Sequence, residues 1–107
     1  MSEFDPERIF HQLNEAGDEW ANCQAAAELL EENKKTVLAE LMVQLQGSAA
    51  ERERTALADP VYKLHLSNMV SARKEANRAR VRYDSMKVLA EMRRTEAANR
   101  RAEMNLR

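Results

Sequence analysis

The side chains that could carry chemistry in this 107-residue chain are two histidines, one cysteine and a short cluster of glutamates. His11 and His65 each lack a second histidine or cysteine three or four residues away, so the spacing typical of a zinc site is missing. Cys23 has no histidine close in sequence that could activate it as a nucleophile. We therefore predict that both histidines lie on the surface or in a helix seam, and that Cys23 is a small buried apolar residue.

The glutamate cluster consists of Glu28, Glu31 and Glu32, which share one helix face at their spacing. A two-metal carboxylate site in a helical bundle requires Glu-x-x-His motifs on facing helices, and the sequence contains none. Its two glycines are also too few for a glycine-rich phosphate loop. We expect a solvated acidic face, and a chain with no metal, no cofactor, no small-molecule substrate and no enzymatic activity.

The composition predicts that these residues are carried on long helices. Two glycines and two prolines leave few places for turns, and Ala, Glu, Arg, Leu and Met are good helix formers. A single cysteine cannot form an intrachain disulfide. No apolar stretch approaches 18 residues, and the first ten residues lack the pattern of a secretory signal. We expect a cytoplasmic protein without membrane contact.

Capping signals predict where the helices begin and end. Asp5-Pro6 and Asp59-Pro60 are typical helix starts, Ser48 with Glu51 forms a capping box, and Gly47 is a typical stop. We predict one helix over about 6–46, a short helix over about 49–58 and a third over about 60–105. The length of the chain fits a single domain, residues 1–107.

Each long helix carries a seam of residues spaced alternately by three and four. The first seam reads Ile9, Leu13, Ala16, Trp20, Cys23, Ala27, Leu30, Lys34, Val37, Leu41; the second reads Tyr62, His65, Met69, Ala72, Ala76, Ala79, Tyr83, Met86, Ala90, Arg93, Ala97, Arg100, Met104. These heptads predict a long antiparallel helical hairpin, like a coiled coil, with a short helical elbow. Seams rich in Ala bury little area, so we predict assembly into a dimeric or higher helical bundle.

The candidate core and oligomer positions are the large residues of both helices. They are Trp20, Leu30, Leu41, Met69, Tyr83, Met86 and Leu89. Further apolar residues outside the second seam, Val81 and Val88 among them, indicate a second contact surface.

Charge is divided unevenly along the chain. Residues 1–59 carry 13 acidic and 5 basic side chains, whereas residues 60–107 carry 5 acidic and 12 basic ones. Three interpretations stay open: the two helices neutralise one another, the last helix contacts nucleic acid, or it contacts another acidic partner. Only Tyr62 and Tyr83 supply aromatic rings in the basic half, which is poor for base stacking. The candidate contact residues are Arg73, Lys74, Arg78, Arg80, Arg82, Arg93, Arg94, Arg100 and Arg101.

The segment RARVRYDSMKVLAEMRRTEAANRRAEM resembles the C-terminal part of small helical accessory proteins of tailed bacteriophages and prophages. The resemblance covers residues 60–107 and implies an accessory protein in the host bacterial cytoplasm, with no catalytic residue. From it and the charge asymmetry we expect a role in DNA recombination or replication.

The alternatives are a coiled-coil scaffold, assembly chaperone or adaptor that binds another protein, and an inhibitor of a host enzyme. DNA mimicry would suit the inhibitor, through Asp18, Glu19, Glu28, Glu31, Glu32 and Glu40.

Overall fold

The computed structural model describes residues 5–106, and their regular structure is entirely helical. The helices are α1 (Pro6–Glu32), α2 (Lys34–Val43), α3 (Ala49–Leu57) and α4 (Pro60–Asn105). The predicted all-α class is confirmed, since no strand occurs among these residues. A search of the same residues finds no helix with an apolar stretch that could cross a membrane.

Three of the helices begin at the capping residues that the sequence predicts. Asp5 Oδ1 accepts a hydrogen bond from the Arg8 N–H at 3.2 Å, and Asp59 Oδ1 accepts one from the Val61 N–H at 2.7 Å. Ser48 Oγ accepts the Glu51 N–H at 3.1 Å. Each bond satisfies one of the backbone donors that the first turn of a helix leaves without a partner.

Where one helix was predicted over 6–46, the structure has α1 and α2, separated by Asn33. The hydrogen-bond ladder continues across the break, because the Asn33 N–H donates to the Leu29 carbonyl and the Val37 N–H donates to the Asn33 carbonyl, both at 3.0 Å. Asn has a lower helix propensity than its neighbours Glu32 and Lys34, which fits the position of the break. Helix α2 then ends at Val43, ahead of the predicted stop at Gly47.

The described chain divides into two compact units, and α1 and α4 each contribute to both. The first unit comprises Met1–Ala21 with Asn77–Arg107, and the second comprises Asn22–Ala76. The prediction of a single domain stays a prediction.

In the first unit, α1 and α4 pack side by side with opposite directions. The Trp20 and Tyr83 rings lie 5.6 Å apart between centroids, whereas Ile9 lies near Ala90, so α4 numbers rise as α1 numbers fall. Ala16 and Ala79 are buried. The hairpin arrangement predicted from the two seams is therefore present in this unit.

In the second unit, the buried residues are Ala27, Ala56, Tyr62 and Ala76. Helices α2 and α3 pack against one another. His65 Nε2 lies 2.7 Å from the Leu30 carbonyl oxygen. Since a carbonyl can only accept, the imidazole N–H donates, and it ties α4 to the end of α1.

The core of the described chain is thin. Five of its six buried residues are alanines, and Tyr62 is the only large one; no large side chain is fully buried. Alanine allows two helices to approach closely but removes little apolar area from water, at ~25 cal/mol per Å². The packing of α1 on α4 is thus close and weakly stabilised.

Candidate functional site

The residues with catalytic or metal-binding side chains do not converge. Among residues 5–106 there is no group of three or more His, Cys, Asp or Glu side chains placed to hold a metal ion. His65 bonds the Leu30 carbonyl, and Cys23 is half-buried with a free thiol. His11 is exposed, with its ring 5.9 Å from that of Phe10.

Two of the candidate arginines form ion pairs with the acidic first helix. In the second unit, Arg73 donates from Nε and Nη2 to one oxygen of Glu31, at 3.1 and 2.8 Å. In the first unit, Arg82 Nη1 lies 2.6 Å from Glu19 Oε1. Their side chains keep between 38% and 53% of their exposure, so each pair contributes at most about 1 kcal/mol to stability.

The other candidate cations differ in their surroundings. Arg78 and Arg93 interact with other groups of the protein. The remaining five have no ion-pair partner within the range 5–106, and all are exposed: Lys74, Arg80, Arg94, Arg100 and Arg101. The nine candidates therefore do not share one environment.

Heptad positions explain why some of these cations pair with α1 and others do not. The seam residues of α4 are positions a and d, so Tyr83 and Ala90 are at a, and Met86 and Arg93 are at d. The residue after each d is at e, beside the partner helix. In the first unit every e residue of α4 is basic: Arg80, Lys87, Arg94 and Arg101. We call these four the basic row.

The members of the basic row lie two helical turns apart. At 1.5 Å per residue, neighbours are about 10.5 Å apart along the axis and the row spans roughly 32 Å. Lys87 was not among the candidate residues, because counting charges does not show that it completes a series with a period of seven.

The row is not neutralised by α1 because the facing positions carry no charge. In an antiparallel pair, e faces e and g faces g. The e positions of α1 in this unit are Phe10 and Gly17, whereas its Glu19 is at g, where it meets Arg82. Glu19 of α1 thus neutralises Arg82 on one edge of this unit, whereas the basic row on the other edge faces no carboxylate of α1.

A groove runs along the basic edge near the start of α1. It has a volume of about 250 Å³, and its lining includes Ile9, Leu13 and Ala90, with Phe10, Lys87 and Arg94 beside them. A second groove of similar volume shares Ile9, Leu13 and Ala90 but opens on the other edge, beside Gln12 and Leu89. Both grooves are lined by Ala90, a short side chain of the α4 seam.

The structure places the candidate core residues at two levels of burial. Trp20 and Tyr83 pack against one another and are half-buried. Four further candidates are also half-buried: Leu30, Leu41, Met69 and Met86. Leu89 is exposed. The seam of α4 stays partly covered as far as Ala97, but Arg100 and Met104, which the heptad series includes, are exposed.

The carboxylates considered for DNA mimicry do not form a uniform free face. Glu19 and Glu31 are engaged with Arg82 and Arg73, while the remaining four are exposed: Asp18, Glu28, Glu32 and Glu40.

No protein-family model, no curated protein and no solved structure matches this chain.

Proposed function

We propose that this chain is a non-enzymatic interaction protein that contacts nucleic acid through the basic row on α4. The supporting observation is that Arg80, Lys87, Arg94 and Arg101 share one edge of the first unit and face no carboxylate of α1. Arg and Lys side chains of this kind bind phosphates and release the counterions that surround a nucleic acid. The row extends onto the C-terminal turns of α4, where Arg101 and its neighbour Arg100 are exposed.

The test is a salt series of binding with labelled DNA, read by fluorescence anisotropy. Between about 50 mM and 200 mM salt the affinity of the native chain should fall steeply. The variant Arg80→Ala/Lys87→Ala/Arg94→Ala/Arg101→Ala should reduce the slope of log affinity against log salt by about 3, since each phosphate contact contributes about 0.7–0.9.

A matched control removes the same amount of charge elsewhere. The variant Lys34→Ala/Lys35→Ala/Arg54→Ala/Lys63→Ala neutralises four exposed cations of the second unit. It should keep the native slope within about 1 of its value. The proposal is wrong if the native chain does not bind DNA at about 50 mM salt, or if both variants lose binding equally.

A second candidate function, binding of another protein's helix as a scaffold or adaptor, is supported by apolar residues on the outer face of α4. Val81, Val88 and Met92 follow one another at spacings of seven and four, opposite the seam, and all are more than half exposed. The same face would serve a second copy of this chain. We propose a homo-oligomer on this basis, because the thin alanine core leaves these large apolar residues in water.

A role in phage DNA recombination or replication remains a proposal that rests on the resemblance of residues 60–107. The cytoplasmic location likewise stays a prediction.

A further inference from the structure

The groove on the basic edge contains an aromatic ring that comes from the acidic half of the chain. Phe10 is 61% exposed, although it is a large apolar side chain. It occupies the e position of α1 and lines the groove with Lys87 and Arg94 of α4. The antiparallel pairing thus places an aromatic ring from residue 10 beside cations more than 75 residues further along the chain.

The surroundings of Phe10 are one aromatic neighbour, His11, and the lining of the groove. The neighbouring His11 ring meets it edge to face, with centroids 5.9 Å apart and planes at 64°. Ile9, Leu13 and Ala90 give the groove an apolar part, and its polar lining consists of Lys87, Arg94 and one acid, Glu91. Two cations against one carboxylate leave the groove net positive.

This combination has a defined chemical preference. Proteins that bind single strands without sequence preference combine a positive groove for the backbone with aromatic side chains on which bases stack. In a duplex each base is already stacked and paired, so its π-face is not available to a surface phenylalanine. A single strand offers both a phosphate and an open base.

We propose that this groove binds single-stranded nucleic acid, with one base stacked on Phe10 and the adjoining phosphates held by Lys87 and Arg94. The inference rests on the proposed function, since it specifies which nucleic acid the basic row binds. Lys87 and Arg94 lie about 10.5 Å apart along α4, on the groove that contains Phe10, so they hold the backbone on either side of the stacked base. Glu91 lies between them in sequence, and its carboxylate repels phosphates, so the phosphates contact Lys87 and Arg94 instead.

The first experiment compares a single-stranded oligonucleotide, a duplex of equal length and an abasic single strand, all by anisotropy at low salt. Phe10→Ala should weaken binding of the base-containing single strand by about 5- to 150-fold, as expected for the loss of one stacked base at about 1–3 kcal/mol. Binding of the duplex and of the abasic strand should change less than about twofold, because neither presents a base for stacking. Leu29→Ala, a change at a similarly exposed apolar residue in the second unit, is the control and should leave all three affinities unchanged.

A second measurement reports stacking directly and does not depend on the stability of Phe10→Ala. In the variant Phe10→Trp/Trp20→Phe the only indole is in the groove. Its fluorescence should be quenched by the base-containing single strand and not by the abasic strand.

Two results are distinguishable failures. If the native chain binds single and double strands alike and Phe10→Ala has no effect, the stacking inference is wrong but the proposed function stands. If the native chain binds neither the single strand nor the duplex, both proposals are overturned. Binding of an acidic helical peptide that is lost in Phe10→Ala would then indicate a protein partner for the groove.

Discussion

At the scale of single residues, the two glycines have opposite roles. Gly47 has a φ of +114°, a conformation that other residues rarely adopt, and it precedes the cap of α3. Gly17 lies inside α1, and a Cβ there would be 3.4 Å from the nearest atom of the Tyr83 ring, an ordinary contact distance. The close neighbour of Gly17 is thus the Tyr83 ring of α4.

The two glycines therefore predict changes of opposite sign. Gly17→Ala should raise the free energy of unfolding by about 0.5–1 kcal/mol, because alanine favours the helix and the contact with Tyr83 is tolerated. Gly47→Ala should lower it by about 1–2 kcal/mol, owing to the positive φ. Urea unfolding followed by circular dichroism measures both, and equal effects of the two substitutions would contradict this interpretation.

Residue 10 shows the limit of sequence reasoning at this scale. Counting aromatic residues within the basic half found only Tyr62 and Tyr83, and so base stacking was poorly supported. Phe10 lies beside Lys87 and Arg94 only because of the register between α1 and α4. Local sequence patterns predict the face that a residue occupies on its own helix, but they do not predict its neighbours on the helix packed against it.

At the scale of helices, the period of the sequence predicted the arrangement well. Alternating steps of three and four predicted the faces that α1 and α4 bury, and Asp5, Ser48 and Asp59 cap the helices as expected. The interruption at Asn33 was not predicted. Neither a proline nor a glycine marks this position in the sequence, and the hydrogen-bond ladder continues across it.

The ion pair between Arg73 and Glu31 gives a prediction at the scale of helix pairing. A double-mutant cycle with Arg73→Gln and Glu31→Gln should give a coupling energy of about 0.2–1 kcal/mol, since both side chains are about two-fifths exposed. The coupling should weaken in about 1 M salt, where the screening length is short. Unfolding free energies of the four proteins measure it, and a large coupling that salt does not change would indicate a desolvated pair instead.

At the scale of the whole molecule, the balance between buried alanines and exposed large residues predicts association. A chain with this core should gain stability from a second copy, so its midpoint of thermal unfolding should rise with protein concentration. Light scattering should give a mass above that of the 12.3 kDa monomer at micromolar concentration.

The proposed outer face makes this association testable by substitution. Val88→Glu should shift the mass toward the monomer, because it puts a charge into the apolar stripe of Val81, Val88 and Met92. Asn14→Glu, at an exposed polar position of α1, is the matched control and should leave the mass unchanged. A native chain that stays monomeric across the concentration series would count against the oligomer.

The period of seven in the basic row has a consequence for how this chain can vary. Each residue added to a helix rotates everything beyond it by about 100°, whereas a substitution rotates nothing. One residue inserted in α4 between Lys87 and Arg94 would turn Arg94 and Arg101 away from the edge that carries Arg80. The surface should therefore tolerate exchange of Lys for Arg at these positions far better than insertions or deletions between them, unless seven residues are added or lost together.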